Sequence, residues 1–411
     1  MGLTLAERRA VTEMTAIRYV VADKPAKGRI LDELCANTGW HRNHARKALE
    51  AALRPKVVTP RRSPRPPRYG PNVIAALTVC WLVLGMPAGK RLAPMWAELV
   101  GVLRQLGELV VDDDTAALLV SMSAATIDRR LAGERAKRQL KGRRATKPGS
   151  LLRSQIPIRT WADWDDAKPG FVEIDLVSHD GGNTIGPFAF TLTVTDIATG
   201  WTENRSVPTK EAKCVLAALN DIADKMPFPI LGVDSDNGAE FINVYLFLWC
   251  RNRKITFTRA RPTNKNDGCH VEQKNWAVVR IMVGYHRYDT APELLLLNEI
   301  WQLQSQLTNY FYPQQKLVSK IRDGAKVTKK YDTATTPFRR AINHPAMTDD
   351  RIASMARTHA LINPAATQRQ IQALTAQLLK VTTSKSQLAT RARIPKRAQS
   401  HEATKPPSRA S

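Results

Sequence analysis

Cysteine is scarce in this sequence. The chain has five cysteines in 411 residues, and none of them forms a Cys-x-x-Cys pair. The scattered positions are Cys35, Cys80, Cys214, Cys250 and Cys269. An odd, dispersed set argues against a disulfide framework and against a zinc site built from cysteine. This pattern is typical of a protein in a reducing compartment.

Long apolar runs are also missing. The longest, Val73 to Met86, has 14 residues, whereas a membrane-spanning helix needs about 20. The first residues, MGLTLAERRAVTEM, lack the apolar core of a secretory signal peptide. We therefore expect a cytoplasmic protein that does not associate with membranes.

Acidic residues are few relative to basic ones. The chain has 37 Asp and Glu against 62 Lys and Arg, which leaves a net charge of +25. A hydrophobic content of 43% excludes wholesale disorder. A charge so far from zero indicates a polyanionic partner, and nucleic acid is favoured. Residues 1–169 carry +14 and residues 291–411 carry +12, but residues 170–290 carry −1. In the middle third, carboxylates therefore balance the basic residues, whereas basic residues dominate both flanks.

The segment 27–52 has the pattern of a helix-turn-helix. Ile30, Leu31 and Leu34 give one helix an apolar stripe, and residues 37–39 supply a turn. The second helix would expose side chains suited to base edges and phosphates in a major groove. These are Arg42, Asn43, Arg46 and Lys47. The alternative is a small helical hairpin with a solvated basic face.

The segment 54–70 contains five prolines, six basic residues and no acid. Proline at this density prevents helix and sheet and leaves an extended chain. The segment is a stiff linker, a basic arm that lies along a DNA minor groove, or both. The arm's contact residues would be Arg61, Arg62, Arg65 and Arg68.

Residues 72–131 are predicted to be helical and to end in a second helix-turn-helix candidate. Ser123 can cap a helix on which Ile127 and Leu131 face the core. The side chains that would then point outward are Thr126, Arg129 and Arg130. The spacing alone does not distinguish a DNA-reading helix from an ordinary packed one. The following basic linker is expected to track phosphates.

From Phe171 the pattern changes to strands. The β-rich runs are FVEIDLV, FAFTLTVTDI, WTENRSV, ILGVD and ITFTRA. Helical runs separate the later strands, and the helix HVEQKNWAVVRIMVGY follows the last one. Three strands in sequence, followed by alternating helix and strand, predict a mixed α/β fold.

Three acids lie near element ends in this region. Asp175 belongs to the first strand, Asp236 follows the fourth, and Glu272 opens the last helix. Carboxylates that converge on one point repel each other, and a divalent cation relieves that repulsion. Oxygen ligands select Mg²⁺ or Mn²⁺, and two such ions about 3.5–4 Å apart can hold a phosphodiester for in-line displacement. We therefore expect two ions per site.

The set D…SDNGAEF…HVEQKNW, with 35 residues between Asp236 and Glu272, resembles the DDE recombinase superfamily. That superfamily includes retroviral integrases and insertion-sequence transposases on a ribonuclease H-like fold. The strings GVDSDNGAEF and FTRARPTNKNDGCHVEQKNW, and the downstream YPQQKLVSKIRDGAKVTKKYDTATTPFRR, are similar to bacterial insertion-sequence transposases. The resemblance covers most of residues 25–340.

The resemblance implies that Asp175, Asp236 and Glu272 are the catalytic metal ligands. It leaves Asp234 a structural role, since the Asn-Gly that follows Asp236 favours the latter. Lys274, Asn275 and Arg280 would lie on a face that meets the DNA end. Three residues that follow Glu272 at helical spacing are expected in the core. They are Trp276, Val279 and Val283. His179 and His270 could orient water or phosphate, but partly exposed loop histidines without a catalytic role are commoner.

The sequence departs from retroviral integrases at both ends. His41 and His44 have no suitably spaced cysteine pair, so no structural zinc is expected. A C-terminal β-barrel is not evident, and the fold of residues 310–345 stays open. A helix from Pro364 has a short heptad seam that would either pair subunits or pack on its own domain. The seam residues are Ile371, Leu374, Leu378 and Val381.

The predicted fold is a ribonuclease H-like α/β catalytic core, with a mixed five-stranded sheet and flanking helices. An all-α helix-turn-helix DNA-binding region precedes the core, and a mainly helical C-terminal region with a disordered basic tail follows it. The predicted segments are 1–53 (helix-turn-helix), 54–70 (linker), 71–134 (second helical domain), 135–168 (basic linker), 169–310 (core), 311–383 (C-terminal region) and 384–411 (tail).

The expected function is that of a bacterial transposase located beside the nucleoid. It would bind the ends of a mobile element, cleave their 3′ ends and join them to target DNA. Two ends cut together require a dimer or a higher oligomer. The alternatives are a ribonuclease H-like nuclease that cuts without joining and a sequence-specific DNA-binding regulator.

Overall fold

The computed structural model describes residues 3–54, 67–138, 168–236, 238–260 and 269–392. The chain divides into two compact units, Met1–Arg68 and Tyr69–Ser411, which are described separately. Within those ranges no helix has the length and apolarity needed to cross a membrane. Arg61, Arg62 and Arg65, most of the 135–168 linker and the end of the basic tail lie outside the described residues.

The first unit consists of three helices around a small apolar core. They are α1 (Leu5–Val21), α2 (Lys24–Thr38) and α3 (Arg42–Leu53). Gly39 ends α2 in the left-handed conformation, with φ of 71°, which a residue with a side chain adopts at a cost. Leu31, Leu34 and Leu49 are buried between the helices. The predicted helix pair and turn therefore pack around one apolar seam.

The second unit begins with a layer of short helices. They are α4 (Pro71–Val83), α5 (Gly89–Leu92), α6 (Trp96–Gln105), α7 (Asp113–Val120) and α8 (Ala124–Ala136). Ser123 caps α8 by accepting a hydrogen bond from the Thr126 amide, as predicted. Ile127 and Leu131 are fully buried. This side of α8 is core, so Thr126, Arg129 and Arg130 are left on its more open sides.

A mixed five-stranded sheet forms the centre of the second unit and confirms the predicted layer. The strands are β1 (Phe171–Ser178), β2 (Phe190–Asp196), β3 (Thr202–Val207), β4 (Gly232–Ser235) and β5 (Thr256–Arg259). Their order is β3-β2-β1-β4-β5. β1, β2 and β3 are antiparallel, whereas β4 is parallel to both β1 and β5. This order and polarity fit a ribonuclease H-like core.

Helices cover the sheet, as expected of a sheet whose strands are buried on both faces. They are α9 (Ala212–Lys225), α10 (Val244–Asn252), α11 (Cys269–Lys274), α12 (Ile281–Val283) and α13 (Ala291–Tyr310). A π-helical segment, Asn275–Arg280, joins α11 to α12. The helix predicted after the last strand is therefore uninterrupted from Cys269 to Val283, but its middle is π-helical and not α-helical.

The C-terminal region contains a hairpin that the sequence did not reveal. Its elements are β6 (Leu317–Asp323), β7 (Lys326–Tyr331), α14 (Pro337–Ile342), α15 (Asp349–Leu361) and α16 (Pro364–Ala392). β6 and β7 form a separate two-stranded sheet. Ile371 and Leu378 of the heptad seam are 0% and 1% exposed and join the main core beside α13. The seam therefore packs on its own unit.

A buried carboxylate fastens α16 to α13. Glu293 is 0% exposed and caps α13 by accepting hydrogen bonds from the amide and hydroxyl of Thr290. It also accepts from the Thr382 hydroxyl and the Lys385 ammonium, both at 2.7 Å. Burial alone would raise the pKa of Glu293, but these hydrogen bonds, led by that of Lys385, hold it below its usual value. One side chain thus links the start of α13 to the end of α16.

Replacing Glu293 with alanine is expected to lower the free energy of unfolding by about 3 kcal/mol, because it leaves a partly buried ammonium and several donors without an acceptor. Urea unfolding of the two proteins measures the difference. Glu299→Ala, at an exposed acid of the same helix, should stay within about 0.5 kcal/mol of wild type. Equal effects of the two substitutions would contradict the assigned role of Glu293.

Candidate active site

The strand register brings two of the three predicted acids side by side. β1 and β4 run parallel, with Ile174 opposite Ser235 at the end of their pairing. The next residues along these strands are Asp175 and Asp236. We call Asp175, Asp236 and Glu272 the acidic edge. Asp175 lies within β1, three residues before its end, whereas Asp236 follows β4 directly.

The electrostatics of the acidic edge are those of crowded carboxylates. Burial raises the pKa of Asp175 to about 7; the charges of Asp236 and Glu272 add to the rise, while hydrogen bonds from Leu176 and Asn275 oppose it. Desolvation also raises the pKa of Asp236, as do the charges of Glu240 and Glu272. The Gly238 amide opposes this shift by donating to Asp236 Oδ1 at 2.8 Å. The charge of Glu272 therefore acts on both Asp175 and Asp236. Asp236 and Glu272 reach the surface.

The second carboxylate of β1, that of Glu173, holds the helix that carries Glu272. Glu173 is 1% exposed, and its Oε2 accepts hydrogen bonds from the amides of His270 and Val271 at 2.8 and 3.1 Å. These amides belong to the first turn of α11, where helix N–H groups have no partner within the helix and where negative charge is favourable. Glu173 therefore fixes the first turn of the helix that carries Glu272.

The π-helical segment supplies a second connection between this helix and β1. Asn275 Nδ2 donates to Asp175 Oδ2 at 2.6 Å, while the Leu176 amide donates to Asp175 Oδ1 at 2.8 Å. Together these bonds fix the plane of the Asp175 carboxylate. Single turns of π-helix inside α-helices occur often at functional sites. Here the change of winding coincides with the residue that contacts Asp175.

The donor set suits a hard divalent cation, although a complete ligand shell is not formed. In the described part of the chain, no three His, Cys, Asp or Glu side chains are arranged so that they could hold a metal ion. The two adjacent carboxylates Asp175 and Asp236 are nonetheless the ligand type that Mg²⁺ and Mn²⁺ prefer. Asn275 Oδ1 is buried and accepts no hydrogen bond from the described residues, so a polar group beside Asp175 is left for a ligand or water.

Asp234 is fully buried, and it accepts a hydrogen bond from the Thr258 hydroxyl of the adjacent strand at 2.5 Å. It joins β4 to β5 inside the sheet, in keeping with the structural role expected for it. Asp234 therefore makes an interior contact, whereas Asp236, two positions later, is exposed at the acidic edge.

Two of the neighbouring residues differ from expectation. His179 was expected to be partly exposed, but it is 0% exposed and bonds the Thr191 hydroxyl at 2.7 Å. Burial lowers its pKa to about 3. Trp276 was expected in the core, but it is 51% exposed, whereas Val279 and Val283 are buried as predicted. Trp276 lies four positions after Glu272, and the π-helical winding begins between them, at Asn275, which alters the face that later residues occupy.

The two cations predicted to face DNA near Glu272 make internal contacts. Lys274 donates to Gln314 Oε1 at 2.5 Å, and burial, together with the charges of Arg91 and Arg340, lowers its pKa to about 7. Arg280 donates to the Ser178 carbonyl at 2.7 Å and lies over the Tyr285 ring. A DNA contact by Lys274 would have to break its bond to Gln314.

The other predicted DNA contacts that fall within the described chain lie at the surface. On α3, Arg42, Asn43, Arg46 and Lys47 are exposed. Arg42 forms an ion pair with Asp32 of α2, which offsets part of its charge. In the second unit, Arg129 and Arg130 are exposed and Thr126 is half-buried. Arg68 is exposed at the end of the first unit.

Sequence reasoning missed Glu173, the residue that positions Glu272. A signal was present, since Glu173 and Asp175 are two apart on one strand and therefore share a face of the sheet. The partner of Glu173, the start of α11, lies nearly a hundred residues later in the chain. Only the assembled sheet shows that this face meets that helix.

Comparisons with known proteins give one extensive relative. No protein-family model matches the chain. A crystal structure of the catalytic core domain of BIV integrase is similar over 25% of this chain and 62% of that domain, less than two thirds of its length, with 20% identity and a TM-score of 0.21. The uncharacterized protein y4rM of Sinorhizobium fredii is 39% identical over 339 residues, which cover 82% of this chain and 96% of that protein. The chain therefore belongs to the same family as y4rM.

Proposed function

We propose that this protein is a DDE-type DNA transposase, a polynucleotidyl transferase that binds the ends of a mobile element and joins them to target DNA. The observation that carries the proposal is the acidic edge. Two carboxylates lie side by side on parallel strands, and the helix of the third is fastened to the same strand by Glu173 and Asn275. Crowded carboxylates repel one another, and a bound cation relieves that repulsion. Carboxylates with pKa values shifted in this way cluster at functional sites.

Asp175 and Asp236, with Glu272, are the residues that would hold Mg²⁺ or Mn²⁺, and the proposal includes a second ion. When bound, a divalent cation neutralises the carboxylates and polarises a phosphate. The chain's own residues do the positioning. Asn275 orients Asp175, and Glu173 keeps Glu272 at the edge.

Both proposed reactions break one P–O bond of a phosphodiester and form a new P–O bond at the same phosphorus. In the first, water attacks the phosphorus at the element end, the P–O3′ bond breaks, and a free 3′-hydroxyl remains on the element. In the second, that hydroxyl attacks a target phosphodiester, and the target's 3′-oxygen leaves as a hydroxyl. The number of P–O bonds is unchanged in the joining step, so no external energy source is required.

The basic flanks would supply DNA affinity. The exposed residues of α3, the arm from Arg61 to Arg68, and Arg129 and Arg130 of α8 are the proposed contacts to the element ends. The enzyme would act as a dimer or higher homo-oligomer assembled on two ends, because both ends must be joined to one target.

The experiment that tests this function uses duplexes that carry the inverted repeats bracketing the gene, with Mg²⁺ and a plasmid target. Labelled ends that become covalently joined to the plasmid support the proposal. Cleavage without joining would instead identify a ribonuclease H-like nuclease. Sequence-specific binding with neither reaction would identify a regulator.

Asn275→Ala is expected to lower strand transfer by about 10- to 100-fold, because residues that orient metal ligands typically contribute that much to activity or metal affinity. The Mg²⁺ concentration for half-maximal activity should rise, while end binding stays unchanged. Gln273→Ala, at an exposed neighbour on the same helix, is the control. A loss of activity with an unaltered Mg²⁺ dependence would assign Asn275 a merely structural role.

A further inference from the structure

The β6–β7 hairpin is almost entirely exposed. Every residue of β7 is exposed, as are all residues of β6 except Ser319. A two-stranded hairpin by itself is at best marginally stable. Several apolar side chains on it are also exposed: Leu317, Val318, Ile321, Val327 and Tyr331. Exposure of this extent is typical of a surface that binds a partner.

The charge of the hairpin identifies the chemistry of that partner. Residues 317–331 contain five Lys and Arg and one Asp. The register places Lys320 directly opposite Lys329 and Arg322 opposite Val327, all on one face. We call Lys320, Arg322 and Lys329 the cationic face. Like charges directly opposite each other destabilise a strand pair, and a bound polyanion would offset that repulsion.

The base of the hairpin is linked to the helix that carries Glu272. Asp332 accepts hydrogen bonds from the Lys316 amide and from Arg340, both at 2.7 Å. Gln314, just before β6, accepts from Lys274, which lies two residues after Glu272. A ligand held by the hairpin would therefore have a defined position relative to the acids.

We propose that the cationic face lies in the major groove of the duplex DNA on which the acidic edge acts. A major groove about 12 Å wide admits a two-stranded β-ribbon, and other proteins read DNA with such ribbons. A second copy of the hairpin is disfavoured as the occupant, because it would bring like charge against like charge. The proposal that the hairpin binds DNA is argued from its exposure and charge alone. The claim that this DNA is the substrate rests on the proposed function.

The test compares the full-length protein with the triple variant Lys320→Gln/Arg322→Gln/Lys329→Gln. Fluorescence anisotropy with a labelled duplex, without Mg²⁺, gives the Kd at several salt concentrations. Three lost phosphate contacts should reduce the slope of log Kd against log salt by about 2 to 3 and raise the Kd at least about tenfold. The charge-matched control is Lys213→Gln/Arg251→Gln/Lys254→Gln, at exposed positions in α9, in α10 and just after α10. Its slope should stay at the wild-type value.

A second measurement reports the groove. Dimethyl sulfate methylates guanine N7 in the major groove, so wild type should protect guanines that the triple variant leaves reactive. The inference would be overturned if the triple variant, unfolding at the same urea concentration as wild type, kept the wild-type salt slope and the wild-type guanine protection. It would also be overturned if the triple variant lost self-association but bound DNA as wild type does. If wild type joins DNA but the triple variant binds normally, only the hairpin inference fails. If the triple variant loses binding but wild type never joins DNA, only the proposed function fails.

Discussion

Asp175→Asn, Asp236→Asn and Glu272→Gln are each expected to lower strand transfer at least about a thousandfold while leaving end binding within about twofold. Each substitution removes a negative charge from the acidic edge and keeps the side chain's size. Stabilisation of a phosphoryl-transfer transition state at such a site amounts to several kcal/mol, and every 1.36 kcal/mol corresponds to a tenfold change in rate. Under the proposed function, end binding depends on the basic flanks and not on these acids, so strand transfer should fall while the end-binding constant stays nearly unchanged.

The matched control is Asp224→Asn, at an exposed acid of α9, which should keep full activity. Joining rates and end-binding constants are measured on the same preparations. Because removal of mutual repulsion relieves crowding, the acidic-edge variants should unfold at urea concentrations no lower than wild type. Strand transfer at wild-type rates in any one of the three would remove that residue from the catalytic set.

Glu173→Ala is expected to produce the second-largest effect, and it acts on both stability and activity. The substitution leaves the amides of His270 and Val271 without their acceptor, and each unsatisfied buried donor costs about 1–3 kcal/mol. The start of α11 should loosen, and Glu272 would lose its fixed position. A displacement of about 1 Å at a reacting group can lower the rate about 10²-fold. We expect an unfolding free energy lower by about 2–4 kcal/mol and strand transfer reduced by about 10²-fold in the folded fraction.

Two variants separate positioning from general destabilisation. Glu173→Gln retains an acceptor oxygen, so it should recover most of the stability and part of the activity. Glu293→Ala destabilises the fold at the junction of α13 and α16, yet its activity per folded molecule should stay within a few fold of wild type. If Glu173→Ala were no less active per folded molecule than Glu293→Ala, Glu173 would have no special connection to Glu272.

The central sheet could be predicted because its strands are runs rich in β-branched and aromatic residues, with turn residues between them. The acids could be singled out because Asp175 lies near the end of the first strand, Asp236 directly follows the fourth, and Glu272 opens the helix after the last one. Their adjacency, however, depends on the register of Ile174 with Ser235. Register is a property of the assembled sheet, and the sequence pattern of a single strand does not contain it.

Features that depend on long-range contacts could not be predicted. The partners of Glu173 and Asn275 lie about a hundred residues away in sequence. The exposure of Trp276 follows from π-helical winding, and helical periodicity assumes regular winding throughout. The β6–β7 hairpin carries polar and charged residues on both faces, so it lacks the alternation that marks a half-buried strand.

The most direct measurement uses a pre-cleaved element end with a labelled strand that terminates in a 3′-hydroxyl, a plasmid target, and Mg²⁺. Wild type should transfer the label covalently to the plasmid, and chelation of the metal should stop the reaction. Asp236→Asn, bound to the same end with the same affinity, should leave the plasmid unlabelled. Two results would contradict the assignment of DNA strand transfer to the acidic edge. One is that Asp236→Asn labels the plasmid at the wild-type rate. The other is that wild type, although folded and bound to the end, leaves the plasmid unlabelled.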